Sequence, residues 1–440
     1  MDEYNEENET DECTKSELDL FSTQPIQTVI EHGVWDNIDP HSNYRNASTL
    51  RFDIPCTSTE YIDLPETEIH LHLKLIANNN NDGLKNDNSQ ISVCNNLLHS
   101  LFKQVQVSFN NQPVENSNDT YAYRAYLENL LCYSKESKET MLRGDLWHKE
   151  SNFDYTGSTN DQNINESFKT RANLFKDNKI VHLAGRLHCD IFNVNRYLLN
   201  NVAIQLQLSR ADEKFYMIGS DTNIKDYKIV IEKAWLRIRR VNLSPSIMLS
   251  HTLALRKNTA KYPIKRVLVN PIVIPYKTTK FTISDIHIGT MPSRVIVAFI
   301  YTKQMDGDFT FNPFNLRNLE IKELSLKVAS RPSPYSAPLE FDFSADDYIE
   351  GYMGLFRNIR EAPNDITYND YKNGNTVFAF DLTPDLCDGD FLNISKDGSL
   401  QLSITLKKSI DESITAIFYL EFDNLIEINE NRKVSYDYKV

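Results

Sequence analysis

The C-terminal stretch of the chain decides the fold. Residues 398–410 read GSLQLSITLKKSI and residues 415–434 read TAIFYLEFDNLIEINENRKV. Apolar and polar side chains alternate, as at Leu400, Leu402 and Ile404, and a period of two residues is typical of strands with one buried face. We expect the second stretch to form a terminal pair of strands in a fixed register. Together the two stretches predict a wall of strands that leaves no pocket.

The same alternation recurs upstream, for example at residues 50–54 and 69–75. Neither half of the chain shows the regular succession of strands and helices that a parallel sheet requires. The pattern therefore predicts an all-β protein. Further strand-like runs are expected at residues 180–192, 202–209, 227–241, 264–274, 278–288, 294–302, 318–329, 376–382, 399–407, 414–421 and 423–428.

Helical spacing is confined to short segments. Residues 120–150 are the clearest helical region, and residues 151–178 are interpreted as a polar excursion. Residues 244–260 read SPSIMLSHTLALRKNTA, with Pro245 in the first turn, where proline is favoured. A single core rarely grows past about 250–300 residues, so we interpret this segment as a connector between two domains.

The predicted fold class is a double jelly roll, meaning two tandem antiparallel eight-stranded β-sandwiches with short helical insertions and a connector helix. The predicted organisation is an acidic flexible N-terminal arm at residues 1–25, a first jelly roll with a long loop and helix insertion at 26–243, the connector helix at 244–260, and a second jelly roll at 261–440.

The charge of the chain is concentrated at its N-terminus. The formal net charge is −14, and residues 1–20 alone carry nine acidic and one basic residue, a net charge of −8. A body that grips phosphates would show a basic excess, so we predict no specific nucleic-acid binding. The apolar side chains of the arm, Leu18, Leu20 and Phe21, are candidates for docking on a neighbouring molecule.

The sequence also bears on the compartment. It has no apolar run of about 18 residues and no basic, apolar leader, so we expect neither a membrane span nor a signal peptide. The six cysteines are widely spaced and none forms a C-x-x-C motif. This pattern favours free thiols in a reducing compartment.

Motifs for catalysis or ligand binding are weak. Glycine is rare, and no glycine-rich phosphate loop or G-x-S-x-G motif occurs. His70 and His72 share one strand face, but the neighbouring sequence supplies no further metal ligands. We predict no enzymatic activity, no cofactor and no metal. Acidic pairs that could serve a glycosidase only if they faced each other across a cleft are Asp346/Asp347, Asp388/Asp390 and Asp411/Glu412.

Basic residues gather near the expected junction of the two domains. Two interpretations are open: a phosphate-facing strip, or salt bridges to the surplus acidic residues, which we favour. The residues concerned are Arg237, Arg239, Arg240, Lys261, Lys265 and Arg266.

Several motifs, in order along the chain, resemble the major capsid protein (hexon-like protein) of Polinton/Maverick elements and adintoviruses. The matches begin near residue 45 and continue to the terminal strands. They include YIDL at 61–64, NLLHSLF at 96–102, Asn118, Thr120, Tyr121, Tyr123 and Arg124 in NDTYAYRAY, Tyr262 and Pro263 in KYPI, Asn312, Pro313 and Phe314 in NPFN, and Leu382, Thr383, Pro384 and Asp385 in LTPD.

The resemblance implies a structural protein of a virion capsid, made in the host cytoplasm. In that family three double jelly rolls associate into a pseudo-hexagonal trimer, and the trimers tile an icosahedral shell. Penton and minor capsid proteins are the further partners that it implies. By analogy, the segments at residues 110–178 and 209–226 extend the first roll toward the outer tower and the trimer contacts.

Two other classes of function compete with this interpretation. The alternative is a tandem jelly-roll module that binds a glycan or a receptor, which would need convergent Asp, Asn and Trp residues in the loops at one end of a roll. The chain has only three tryptophans, and all lie outside the turn clusters. A β-sandwich hydrolase is the third possibility.

Overall fold

The structure is a computed structural model that describes residues 20, 25–41, 44–45, 47–77, 90–157, 163–221, 223–274, 276–359, 364–386, 393–394 and 396–436. Of the predicted arm at residues 1–25, only Leu20 and residue 25 are described, so Leu18 and Phe21 lie outside the described residues. Asp388, Asp390 and residues 78–89, which belong to the polar sequence NNNNDGLKNDNSQ, lie outside them as well.

The strands are β1 (Ile30–Ile38), β2 (Thr49–Ile54), β3 (Glu60–Ala77), β4 (Ile91–Val93), β5 (Phe102–Phe109), β6 (Gln112–Asn116), β7 (Val181–Arg186), β8 (Ile204–Arg210), β9 (Met217–Gly219), β10 (Tyr227–Leu243), β11 (Ala260–Ile274), β12 (Lys280–Thr290), β13 (Arg294–Tyr301), β14 (Ile321–Val328), β15 (Arg331–Pro332), β16 (Leu339–Glu340), β17 (Val377–Asp381), β18 (Asp397–Leu406), β19 (Ile414–Ile428) and β20 (Val434–Tyr436). The helices are α1 (Leu97–Ser100), α2 (Tyr121–Leu131), α3 (Lys135–Glu139), α4 (Glu166–Leu174), α5 (Glu213–Tyr216), α6 (Pro245–Leu255), α7 (Thr302–Asp306), α8 (Ile349–Asn358) and α9 (Tyr368–Lys372).

The N-terminal half forms a first sandwich of two antiparallel sheets. One sheet has the strand order β1-β10-β3-β7 and the other β2-β8-β5-β6, while β4 and β9 form a separate ribbon. Phe52, Leu71, Val107 and Ile238, which come from both sheets, are fully buried. Period-two alternation places these side chains on the inner faces, as the sequence predicts.

The C-terminal half repeats this architecture. Its sheets have the orders β11-β19-β13-β17 and β12-β18-β14-β15, with β20 paired to β19 and β16 paired to β14. When the eight main strands of each half are numbered along the chain, both halves have one sheet in the order 1-8-3-6 and one in the order 2-7-4-5. This shared order is that of a jelly roll, and the predicted double jelly roll is confirmed.

Three local predictions were wrong. The strands expected at 414–421 and 423–428 form the single strand β19, because Phe422 and Asp423 continue the pairing with β11. The strand expected at 180–192 ends at Arg186, so His188 and Cys189 lie in no strand. The polar excursion contains helix α4, which the buried side chains of Phe168 and Arg171 hold against the core.

The region between the rolls contains helix α6, which ends at Leu255, and β11 begins at Ala260. The domain limits proposed from the sequence remain predictions. In the part of the chain that the structure describes, every helix is too short or too polar to cross a bilayer.

Candidate functional site

The two rolls meet where the segment around α2 in the first roll covers the outer face of the sheet β11-β19-β13-β17 in the second. The Thr120 hydroxyl donates to the Val269 carbonyl at 3.3 Å, and the Tyr419 hydroxyl donates to Glu128 Oε1 at 3.2 Å. Because both of its faces are covered, β19 is buried at each of its first nine positions. The interface between the rolls therefore explains why the first nine residues of β19 are buried at successive positions and not only at alternate ones.

An ion cluster lies at the centre of the interface, around the buried side chain of Arg124. Its guanidinium contacts Glu115 and Glu128 at 2.8 Å each, and Asp190 at 2.7 Å. Asp190 also accepts a hydrogen bond from the Val267 amide of β11 at 3.1 Å. The cluster thus ties the second roll to the helix that carries Arg124.

The carboxyl groups of this cluster differ in their affinity for protons. Burial raises the pKa of Asp190 to about 8, and it also raises that of Glu115, although Arg124 opposes both shifts. Burial acts in the same direction on Glu128, but Arg124 and His188 outweigh it and hold its pKa at about 2. Burial and the guanidinium of Arg124 thus act in opposite directions on the pKa of all three carboxyl groups, and only at Glu128, which His188 also contacts, does the cation prevail.

Phe314 inserts from the second roll into an aromatic group of the first. Its ring stacks on Tyr126 at a centroid distance of 4.1 Å and meets the edge of Tyr123 at 5.8 Å. Phe215 packs against it from another side at 6.1 Å. Offset and edge-to-face ring pairs stabilise beyond the area they bury, so this loop anchors the interface.

The other residues that carry the resemblance occupy several settings. Tyr262 is buried, and its hydroxyl accepts from the Leu199 amide at 3.1 Å and donates to the Tyr197 carbonyl at 3.2 Å. Tyr121 is buried beside His99, and its hydroxyl lies 3.0 Å from the His99 ring. Asn312 and Pro313 are buried, whereas Asn118 and Pro263 are exposed.

The LTPD motif lies elsewhere. The Leu382 amide donates to the Ser293 carbonyl at 2.8 Å, and Thr383 bonds Asp381 through its amide at 2.9 Å and its hydroxyl at 2.6 Å. Pro384 and Asp385 are exposed. The motif shapes the end of β17 and one wall of a cavity of about 160 Å³, away from the inter-roll interface.

The structure brings a third histidine to the pair noted in the sequence. His182 on β7 lies opposite His72, and its ring nitrogen is 3.3 Å from His70 Nδ1. Burial and the nearby Arg237 lower the pKa of His70, and burial and His72 lower that of His182. Among the described residues, no three or more His, Cys, Asp or Glu side chains are placed to hold a metal ion.

Three residues of the basic strip form salt bridges, which is the use that we favoured, whereas Lys261 forms none with the described residues. Arg239 pairs with Asp63 at 2.6 Å, Arg240 with Asp36 at 3.3 Å, and Lys265 with Asp423 at 2.7 Å.

The sequence analysis did not predict the acidic residues of the ion cluster, Glu115, Glu128 and Asp190. The spacing of Arg124 and Glu128 on one helix face was readable, because residues four apart are neighbours on a helix. Asp190 and Tyr419 are distant in sequence, and only the fold brings them to Arg124.

Comparisons with known proteins show what this chain is similar to. No family model matches the sequence. Uncharacterized protein F54H12.2 of Caenorhabditis elegans is 20% identical over 416 residues, which cover 92% of this chain and 96% of that protein.

Solved structures of viral capsids share the fold. A chain of the Sputnik virophage structure superposes with a TM-score of 0.66 at 10% identity, covering 97% of this chain and 93% of that one. A chain of the PBCV-1 virus capsid gives 0.59 at 10% identity, with 95% and 99% covered. The mavirus major capsid protein gives 0.52 at 14% identity, with 97% and 93% covered. The chain therefore has the fold of the double jelly-roll capsid proteins of viruses.

Proposed function

We propose that the chain is a structural major capsid protein whose trimers form pseudo-hexagonal capsomers and tile an icosahedral shell. The observation that carries the proposal is the pair of jelly rolls with the same strand order, held together by a buried interface. Each chain then contributes two lobes of similar fold, and the interface fixes their relative orientation. Three chains around an axis would present six, which suits a hexagonal lattice.

The exposed apolar side chains support an assembling protein. Trp35 and Val34 lie exposed on the edge strand β1, and Val273 and Ile288 are exposed on the second roll. Exposed apolar surface and an open sheet edge are liabilities in a monomer, and a closed ring of subunits would cover them. A three-fold contact joins two different surfaces and closes as a ring.

The finer parts of the proposal follow from the resemblance. We assign the chain to the capsids of Polinton/Maverick elements or adintoviruses, with penton and minor capsid proteins as partners and the host cytoplasm as the place of synthesis. We also propose that the arm, through Leu18, Leu20 and Phe21, contacts a neighbouring capsomer. The interfaces within a trimer should be large and partly apolar, while those between trimers should be more polar.

Light scattering coupled to gel filtration tests the trimer directly. The purified chain of 50.9 kDa should elute with three times that mass, and negative staining should show particles of hexagonal outline or shells. Monomers at all micromolar concentrations, without such particles, would count against the proposal. Binding of that monomer to a glycan array would instead favour the module that recognises a glycan or receptor.

A further inference from the structure

An apolar groove lies beside the connector helix. It has a volume of about 630 Å³ and is bounded by α6, the entry to β1 and the start of β11. Tyr61 forms part of its floor, and its hydroxyl lies 3.0 Å from Nδ1 of His251 on α6. The side chains that line it are mainly apolar and include Val29, Leu199, Leu243, Ile247, Ala254 and Tyr262.

The helix that forms one wall has more apolar surface than its own chain covers. Within α6 only Leu255 is buried, while Leu249 and Leu253 are 61% and 50% exposed. Leu249 and Leu253 do not line the groove, so the apolar surface that the chain leaves open extends from the groove to another side of this helix. Exposed apolar surface of this kind is typical of contact sites for a partner.

The rim of the groove is cationic. Arg196 and Lys261 line it, and the Arg196 guanidinium donates to the Lys261 carbonyl at 2.5 Å. Among the described residues, neither side chain lies within salt-bridge distance of a carboxylate. An apolar floor below two such cations suits a peptide that combines apolar and acidic side chains.

The N-terminal arm has this chemistry. Residues 16–21 read SELDLF, so that Leu18, Leu20 and Phe21 alternate with or adjoin Glu17 and Asp19. Leu20 is 75% exposed and is not part of its own groove. Gln27 lines the groove, and residues 18–21 precede residue 25 by four to seven positions, a reach of roughly 13–25 Å that suffices for the groove of a molecule packed directly alongside.

We propose that this groove binds the Leu18, Leu20 and Phe21 segment from the arm of a second copy of the chain. The inference rests on the proposed function and assigns a binding site to the arm. The three apolar side chains fill the groove, and Glu17 and Asp19 form ion pairs with Arg196 and Lys261. Burying the three side chains and covering the groove would supply the main driving force, with the charges setting register.

Disulfide trapping between two differently tagged chains tests the proposal. In a background with Cys13, Cys56 and Cys387 changed to Ser, one chain carries Leu20→Cys and the other Ala254→Cys. After co-expression and mild oxidation, shells or trimers should contain a disulfide-linked heterodimer, and mass spectra should show a peptide pair joined through the two introduced thiols. Absence of this link from well-formed shells would overturn the proposal. A chain that carries both Leu20→Cys and Ala254→Cys is tested in parallel, and a link that forms only within this one chain would also overturn it.

A peptide assay separates failure of the groove from failure of the capsid function. A fluorescent peptide of residues 10–24 should bind the full-length chain, and Lys261→Glu should weaken this binding about fivefold or more, since it reverses a rim charge. Lys179→Glu, an exposed cation outside the groove, is the matched control and should leave the affinity unchanged. Equal binding by both variants, or none by the unaltered chain, contradicts the groove assignment even if shells form.

Discussion

At the scale of single residues, Arg124 matters most because it is the cation at the centre of three buried carboxyl groups. Its side chain and those of Glu115 and Asp190 are almost wholly inaccessible to water. Leaving a buried charge without its partner is far more costly than losing an exposed pair. The same residue lies in the NDTYAYRAY motif, so its chemistry gives a physical reason for one motif of the resemblance.

We predict that Arg124→Met lowers the free energy of unfolding by about 3–5 kcal/mol, since it leaves Glu128 and its neighbours without their cation. Urea unfolding followed by fluorescence measures the change. Arg186→Met is the control, because Arg186 pairs with Glu66 at an exposed site, where a loss of only about 0–1 kcal/mol is expected. Equal losses in the two variants would contradict the role given to the cluster.

His148 makes stability depend on pH. Burial, followed by the charge of Arg143, lowers its pKa to about 4. The unfolded chain takes up the proton near pH 6.5 and the folded chain does so only near pH 4, so its contribution to stability is lost as the pH falls through that window. His148→Gln should therefore lose less melting temperature between about pH 7 and pH 5 than the unaltered protein. A parallel decline would refute this, with His32→Gln on the exposed edge strand as control.

At the scale of elements, the loop that carries Phe314 is the main aromatic anchor between the rolls. Phe299, by contrast, is a fully buried phenylalanine of β13 within the second roll itself. Truncating Phe314 removes packing at the interface, whereas truncating Phe299 removes packing in the core of one roll. Because the two side chains have the same size, the two effects can be compared directly.

Phe314→Ala should destabilise the protein by about 3–5 kcal/mol and increase protease cleavage near α6, because the rolls separate more readily. Phe299→Ala should lower stability by a similar amount, but with cleavage spread through the second roll. Limited proteolysis with mass spectrometry of the fragments distinguishes the two patterns. Identical fragment patterns would show that Phe314 does not act at the interface between the rolls.

At the scale of the whole molecule, charge is divided between an acidic arm and a body that is nearly balanced. Residues 21–440 carry a net charge of only −6, which limits the repulsion between copies packed in a lattice. The arm holds the remaining charge together with apolar side chains, a combination suited to contact with a partner.

Deletion of residues 1–20 should leave the trimer intact and impair shell formation or shell stability. The reason is that the arm is proposed to join capsomers, and the strands of both rolls that the structure describes begin only at Ile30. Gel filtration measures the trimer, and electron microscopy with thermal release of shell contents measures the lattice. Shells of unchanged yield and stability would show that the arm is a solvated appendage.

Much of the fold could be predicted from sequence, because the period of a strand is a local property. The alternation at residues 69–75 and 398–406 predicted strands that the structure contains as parts of β3 and β18. Helix α4 escaped notice because its buried face includes Arg171, whose charge is satisfied by Glu150, 21 residues earlier in the chain, at 2.6 Å. A local hydrophobicity pattern predicts that such a charged residue is exposed, even when the fold buries it together with its partner.

The sequence by itself determined that the protein is all-β, that two sandwiches follow one another, and that the acidity is concentrated in the first 20 residues. Only the tertiary structure decided that Arg124 meets Asp190, that Phe314 enters the first roll, and that α6 borders an open groove. The physical reason is one of range: hydrophobic period and charge are carried by neighbouring residues, whereas contacts between distant residues depend on how the two rolls pack.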